Sequence, residues 1–170
     1  MPVRFRQSHS DYKGKLAVLK GWLVKFPKES KAATAIGMYA AAQDVMELAR
    51  SRAPIGPSPS PDHADQQPGK LREGAYARYA QLMGGAGVTV DMGFEGTFSD
   101  RGSPQRYMVV QHENTSFKHE QGGGPFFLSS AIDDLRSETT RTIAAYVQIW
   151  LRTGKMPAQP EQKVPTQGGG

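Results

Sequence analysis

Four side chains with metal-binding chemistry, His112, Glu113, His119 and Glu120, fall within nine positions of one another. Imidazole and carboxylate together make a donor set for a divalent ion. Their spacing is not the i, i+4 histidine pair that puts two ligands on one helix face, and nothing nearby would hold the stretch rigid. The cluster reads as a polar loop that touches a neighbouring molecule, with no metal. Gly122-Gly123-Gly124-Pro125 looks like an anion-binding entry to a helix, where free amides and the helix dipole converge. A phosphate loop would close with Gly-Lys-Ser/Thr. Here Phe126-Phe127 follow, so the glycines read as backbone freedom ahead of a helix. No serine sits in a Gly-x-Ser-x-Gly elbow. Asp133 and Asp134 are helix neighbours that point apart, and a solvated face explains them. The aromatic residues, Trp22 and Trp150 among them, fall mainly on apolar helix faces or strands, where packing is the default. The chain contains no Cys, which removes thiolate ligands, cysteine nucleophiles and disulfides together and fits synthesis in a reducing cytoplasm. No catalytic residue and no cofactor site emerges, so the chain reads as a protein that is not an enzyme.

The elements that must position these residues are set by 170 residues, enough for one ordinary domain. A hydrophobic fraction of 38%, with 19 Gly and 12 Pro in clusters, predicts a modest core with long loops and a loose end. No signal peptide follows Met-Pro-Val-Arg-Phe-Arg, and no apolar run approaches the roughly 20 residues of a membrane helix, so no membrane partner is expected. The net charge of +5 is compatible with nucleic acid nearby, with an acidic partner, or with solubility alone. Lys and Arg are scattered, without the basic, aromatic-interleaved run of a dedicated nucleic-acid reader.

Ser10 as N-cap and Leu16, Leu19, Leu23 and Phe26 on one stripe predict a helix to about Lys25, ended by Pro27. A second helix is expected from Ser30 to Arg52, burying Ile36, Tyr39, Ala40, Val45, Leu48 and Ala49, and stopped by Pro54. Five prolines between Pro54 and Gly69, among them Pro57, Pro59 and Pro61, make a loop too long for an ordinary connection. Strands are predicted over Ala75–Met83 and Gly87–Phe94, with Val88, Val90 and Met92 on one face, and over Tyr107–Gln111. Pro125 suits the start of a last helix that carries Leu128, Ile132, Leu135, Thr139, Ile143, Tyr146, Val147 and Trp150 at helical spacing, with Gly154 as its C-cap. The class is α+β: two N-terminal helices, a small antiparallel β-sheet, a long C-terminal helix and an extended C-terminal arm. Residues 1–153 form the domain and 154–170 the arm.

Four segments in order carry a likeness to a known family. Ala49-Arg50-Ser51-Arg52-Ala53-Pro54 at a helix end resembles the Ala-Arg, Ala-Pro signature of tail-completion proteins of tailed bacteriophages, also called neck or head–tail joining proteins. Pro68-Gly69-Lys70-Leu71-Arg72 stands where that family has Thr-Gly-x-Leu-Arg. Tyr107-Met108-Val109-Val110-Gln111-His112-Glu113 is similar to its Tyr-to-Glu strand. Gly124-Pro125-Phe126-Phe127-Leu128-Ser129-Ser130-Ala131-Ile132 resembles the aromatic-Leu turn that opens its last helix. The likeness spans roughly residues 30 to 150; Pro68 in place of Thr and the longer 54–69 loop depart from the pattern.

The resemblance implies a structural, non-enzymatic virion subunit, made in the host bacterial cytoplasm. It implies a ring of six or twelve copies at the head–tail junction, through which DNA passes. Portal or adaptor and tail proteins would be its neighbours, and its contact with phage DNA would be transient and non-specific. A tail-terminator or minor tail subunit is the nearest alternative, and a non-specific nucleic-acid-binding module is the alternative of another class. The residues expected to meet partners are Pro57, Pro59, Pro61, Arg72, His112, Glu113, His119, Phe126, Phe127, Pro157, Pro160 and Pro165. By composition the arm supports no regular structure. Stretched as polyproline its 17 positions reach about 50 Å, and it is expected to cross onto a neighbouring subunit or ring.

Overall fold

The computed structural model describes residues 9–55, 69–79, 88–95 and 123–166, with the backbone alone for 9–20 and 22–24. Its first element corrects the expectation of two N-terminal helices. A single helix, α1, runs without interruption over His9–Arg52 with Pro27 inside it. Proline leaves the carbonyl four residues back without its donor and crowds it, at a cost of about 3 kcal/mol in a helix interior. Around Pro27 other contacts offset that cost. Ser30 Oγ donates to the Pro27 carbonyl at 3.2 Å and Thr34 Oγ1 to the Ser30 carbonyl at 2.8 Å. Phe26 packs against Trp150 with ring centroids 5.1 Å apart. A local helix breaker is overridden by tertiary packing.

The second half of α1 is the centre of the domain. Ile36, Tyr39, Ala40, Val45 and Ala49 are buried as their spacing predicts, while Leu48 is only partly so. Burial goes further than one stripe: residues 39–43 are buried in succession, and five consecutive helical positions cannot share a face. The helix is therefore covered on several sides. Small residues allow this close approach. At Gly37 an added Cβ would lie 3.0 Å from the Ile143 Cα, so the backbones of two helices nearly touch there.

After the turn of helix α2 (Lys70–Glu73), strands β1 (Ala75–Tyr79) and β2 (Val90–Phe94) pair antiparallel, from Ala75 opposite Phe94 to Tyr79 opposite Val90. Val90 and Met92 pack against the core as their alternation predicts, together with Ala75, Ala77 and Phe94. Val88 precedes the strand instead of joining it. On the other face Tyr76, Arg78, Asp91 and Glu95 form a polar cluster. Arg78 bonds Asp91 at 2.8 Å and Glu95 at 3.0 Å, and its guanidinium lies 4.6 Å from the Tyr76 ring centroid. Burial, with Asp91 beside it, pushes the Tyr76 hydroxyl above its ordinary pKa. The predicted strand ends at 80–87 and the strand Tyr107–Gln111 lie outside the described residues.

The last helix is interrupted. Helix α3 (Phe127–Asp134) ends at Leu135 and helix α4 (Arg136–Thr153) begins directly after it. Pro125 and Phe126 form a turn ahead of α3, with Phe126 in the left-handed region at φ 57, so Pro125 is not the first helical residue. Gly154 closes α4 as expected, at φ 65, with its amide donating to the Trp150 carbonyl. Both helices pack on α1. Their predicted apolar stripe is mostly half-buried, and Ile132 is 40% exposed.

In the single chain the arm folds back onto its own domain. Its described residues, 154–166, form no helix or strand, yet residues 163–165 pack against α1 and β1 of the same chain, and Val164 is 1% exposed within the main core cluster. The domain offers the groove that composition alone did not reveal.

Candidate assembly site

An α-helix ends with carbonyls that have no intrahelical donor. At the end of α1 the last helical carbonyl, of Arg52, and the Ala53 carbonyl just beyond it find donors from other parts of the chain. The Arg52 carbonyl accepts from the Gly124 amide at 3.3 Å, and the Ala53 carbonyl from Arg72 Nε at 2.8 Å. The Arg52 side chain reaches across to α3, donating to Ser130 Oγ at 3.2 Å and pairing with Asp134 at 2.7 Å. Cations at a helix C-terminus are favoured by the dipole, and these two are held in place by it and by their partners.

Gly123 makes the junction possible. Its φ is +87, and an added Cβ would lie 2.5 Å from the Pro54 Cα and 2.7 Å from the Ala53 carbonyl oxygen. Only glycine tolerates both the left-handed backbone and that approach. On the opposite flank the Glu95 amide donates to the Gly74 carbonyl at 2.7 Å, one turn of helix from Gly69. The described residues flanking two long segments, 56–68 and 96–122, are thus gathered around the C-terminal end of α1. The segments 49–54, 69–72 and 124–132 meet here; the segment 107–113 lies outside the described residues.

The cations of the junction are paired or bonded to carbonyls, and no nucleophile–base pair forms among its described residues. Beside it, Met38, Ala41, Val45, Met92, Ile132 and Ile143 line an open groove of about 280 Å³, with Arg136, Thr139 and Thr140 also on its wall.

Of the residues expected to meet partners, Pro57, Pro59, Pro61, His112, Glu113 and His119 lie outside the described residues, as does Glu120. Arg72 is engaged within its own chain. Phe127 is 3% exposed and sits edge-on to Phe94 at 5.1 Å, a core position, whereas Phe126 is 45% exposed. Pro157 is buried, Pro160 half-buried and Pro165 exposed, and the Pro165 carbonyl accepts from the Ala77 amide. The arm is anchored by residues whose roles the sequence does not announce: Gln43, Asp44 and Glu47 on α1, with Lys163 and Val164. One signal was present. Gln43 interrupts an apolar helix face, and Val164 is the sole β-branched residue between Lys155 and Pro165.

No protein family, no curated protein and no solved structure matches the chain. Among the described residues, no helix is long and apolar enough to cross a membrane.

Proposed function

We propose that the chain is a structural virion protein of a tailed bacteriophage, forming a homo-oligomeric ring at the head–tail junction. The observation that carries this reading is the shared root of segments 56–68 and 96–122 at the end of α1. These segments hold Pro57, Pro59, Pro61, His112, Glu113 and His119, the polar and proline-rich candidates for partner contact. A small domain that sends two long, polar segments from one end is suited to meeting neighbours there, because such segments satisfy their backbone groups against a partner. A heterologous contact that repeats and closes yields a ring. Three family-like segments meeting at the same junction support the same reading.

DNA passing through such a ring would meet Lys and Arg through phosphates, weakly and without sequence readout, since base recognition would stall transit. The test is particle symmetry. Cryo-EM of the virion is expected to show six or twelve copies around the tail axis; a single copy, or no density for the chain in any particle, refutes the proposal. A footprint on one defined DNA sequence refutes the lumen reading.

A further inference from the structure

The far end of the arm sits in its groove as a peptide sits in a binding site. Lys163 and Val164 both donate their amides to Gln43 Oε1, at 2.7 and 2.6 Å. Val164 buries its side chain in the core. The Pro165 carbonyl accepts from the Ala77 amide at 3.0 Å, on β1. Lys163 Nζ bridges Asp44 at 2.8 Å and Glu47 at 2.9 Å. Three consecutive residues are therefore read by backbone capture, an apolar pocket, a strand bond and a charge clamp, the means by which proteins recognise extended peptides. An acidic pair on a chain of net charge +5 selects a basic segment.

The connection to this segment is looser. Gly154 turns the chain at φ 65, and residues 155–162 are mostly exposed, held by the burial of Pro157 and a 2.8 Å bond from the Tyr79 hydroxyl to Gln159. Fully extended, residues 154–162 span about 30 Å. A domain of this size has a radius of gyration of about 15 Å, so the segment can reach the groove of an adjacent copy.

We propose that this groove is a binding site for an extended Lys-Val-Pro segment, and that in the assembled protein the segment comes from a second copy of the chain. Exchange of an identical element forfeits no contact, because the same residues meet. In a lone chain the short tether keeps its own segment near millimolar effective concentration, and the closed form wins. Adjacent subunits of a ring stand at comparable local concentration, and the arm then links neighbours. This exchange rests on the proposal above only in requiring that copies associate.

The chain has no native cysteine, so an engineered pair reports this contact alone. The full chain carrying Asp44→Cys and Lys163→Cys is treated with a bis-maleimide whose reach spans the ion pair it replaces, as dilute monomer and as assembled oligomer identified by native mass. An intrachain bond in the monomer and an interchain ladder in the oligomer are expected. Oligomers with only intrachain bonds overturn exchange and leave the ring intact; no bond in either state overturns the groove. A chain that never oligomerises overturns the ring and the exchange together. The groove is then judged alone with a fluorescent peptide of residues 156–166. It binds the full chain carrying Val164→Asp, whose own arm cannot seat, and Lys163→Glu in the peptide weakens binding about tenfold. If Val164→Asp loses helicity, the full chain carrying Lys163→Glu takes its place as receptor. Equal binding of the two peptides, or none by a folded receptor, overturns the site.

Discussion

Replacing Gln43 with Leu isolates what holds the arm. Gln43 is 1% exposed; its Oε1 accepts the amides of Lys163 and Val164, while its Nε2 is buried without a hydrogen bond. Removing the acceptor orphans the buried Val164 amide, at a cost of about 1–3 kcal/mol. The Lys163 amide is only partly buried and can turn to water, so its loss costs about 0.5–1.5 kcal/mol. Removing Nε2 abolishes an unmet donor and returns about 1–3 kcal/mol. The balance is a destabilisation of about 1 kcal/mol, or roughly fivefold more frequent opening of the arm. Gln43→Ala loses the same bonds and leaves a cavity besides, so it should cost about 1–2 kcal/mol more. Hydrogen exchange at the Val164 amide reads the local opening, and urea unfolding followed by circular dichroism reads the global cost. Unchanged protection of that amide in Gln43→Leu would refute the latch. A penalty for Leu well above about 1 kcal/mol would show that Nε2 is satisfied after all, because its removal would then return nothing.

Gly123→Ala meets both the left-handed backbone and the Pro54 Cα, and should cost at least about 2 kcal/mol by urea midpoint; a change under about 0.5 kcal/mol would mean that the junction at the end of α1 is not packed this way. Pro27→Ala restores a helical donor and should raise stability by about 1–3 kcal/mol, read as an increased Tm; a loss of stability would contradict a continuous α1. Bonds to Asp44 and Glu47 hold the Lys163 ammonium above its ordinary pKa of 10.5. A raised lysine contributes fully below its unfolded pKa and loses that contribution as pH climbs through the folded one. Protease resistance of the arm should therefore carry this group's full contribution, flat with pH, around neutrality and fade in strong alkali, and Lys163→Met should lower it slightly at neutral pH and remove the alkaline fade. Because the pair is a third or more exposed, its contribution is small and weakens with salt.

What the sequence determined by itself was everything that acts over a few residues. Pro54 stops α1, Gly154 caps α4, and alternation places Val90 and Met92 on the core face, because backbone sterics and side-chain period are local properties. The mixed helix and antiparallel sheet follow from the same signals. Tertiary structure decided the rest. Pro27 lies inside a helix because Phe26 has Trp150 to pack on, a partner far away in sequence. Residues 39–43 are all buried because helices, sheet and arm surround α1, which no single-helix periodicity encodes. The candidate junction was legible as separate short segments, but their meeting at Arg52, Ala53 and Pro54 was not, since it depends on Gly123 and Arg72 arriving from other elements. The arm shows the limit most clearly. Its composition forbids regular structure, and over residues 154–166 that holds. Order came instead from one buried amide 121 residues earlier in the chain, because a three-residue segment can be fixed by a groove that only the folded domain creates.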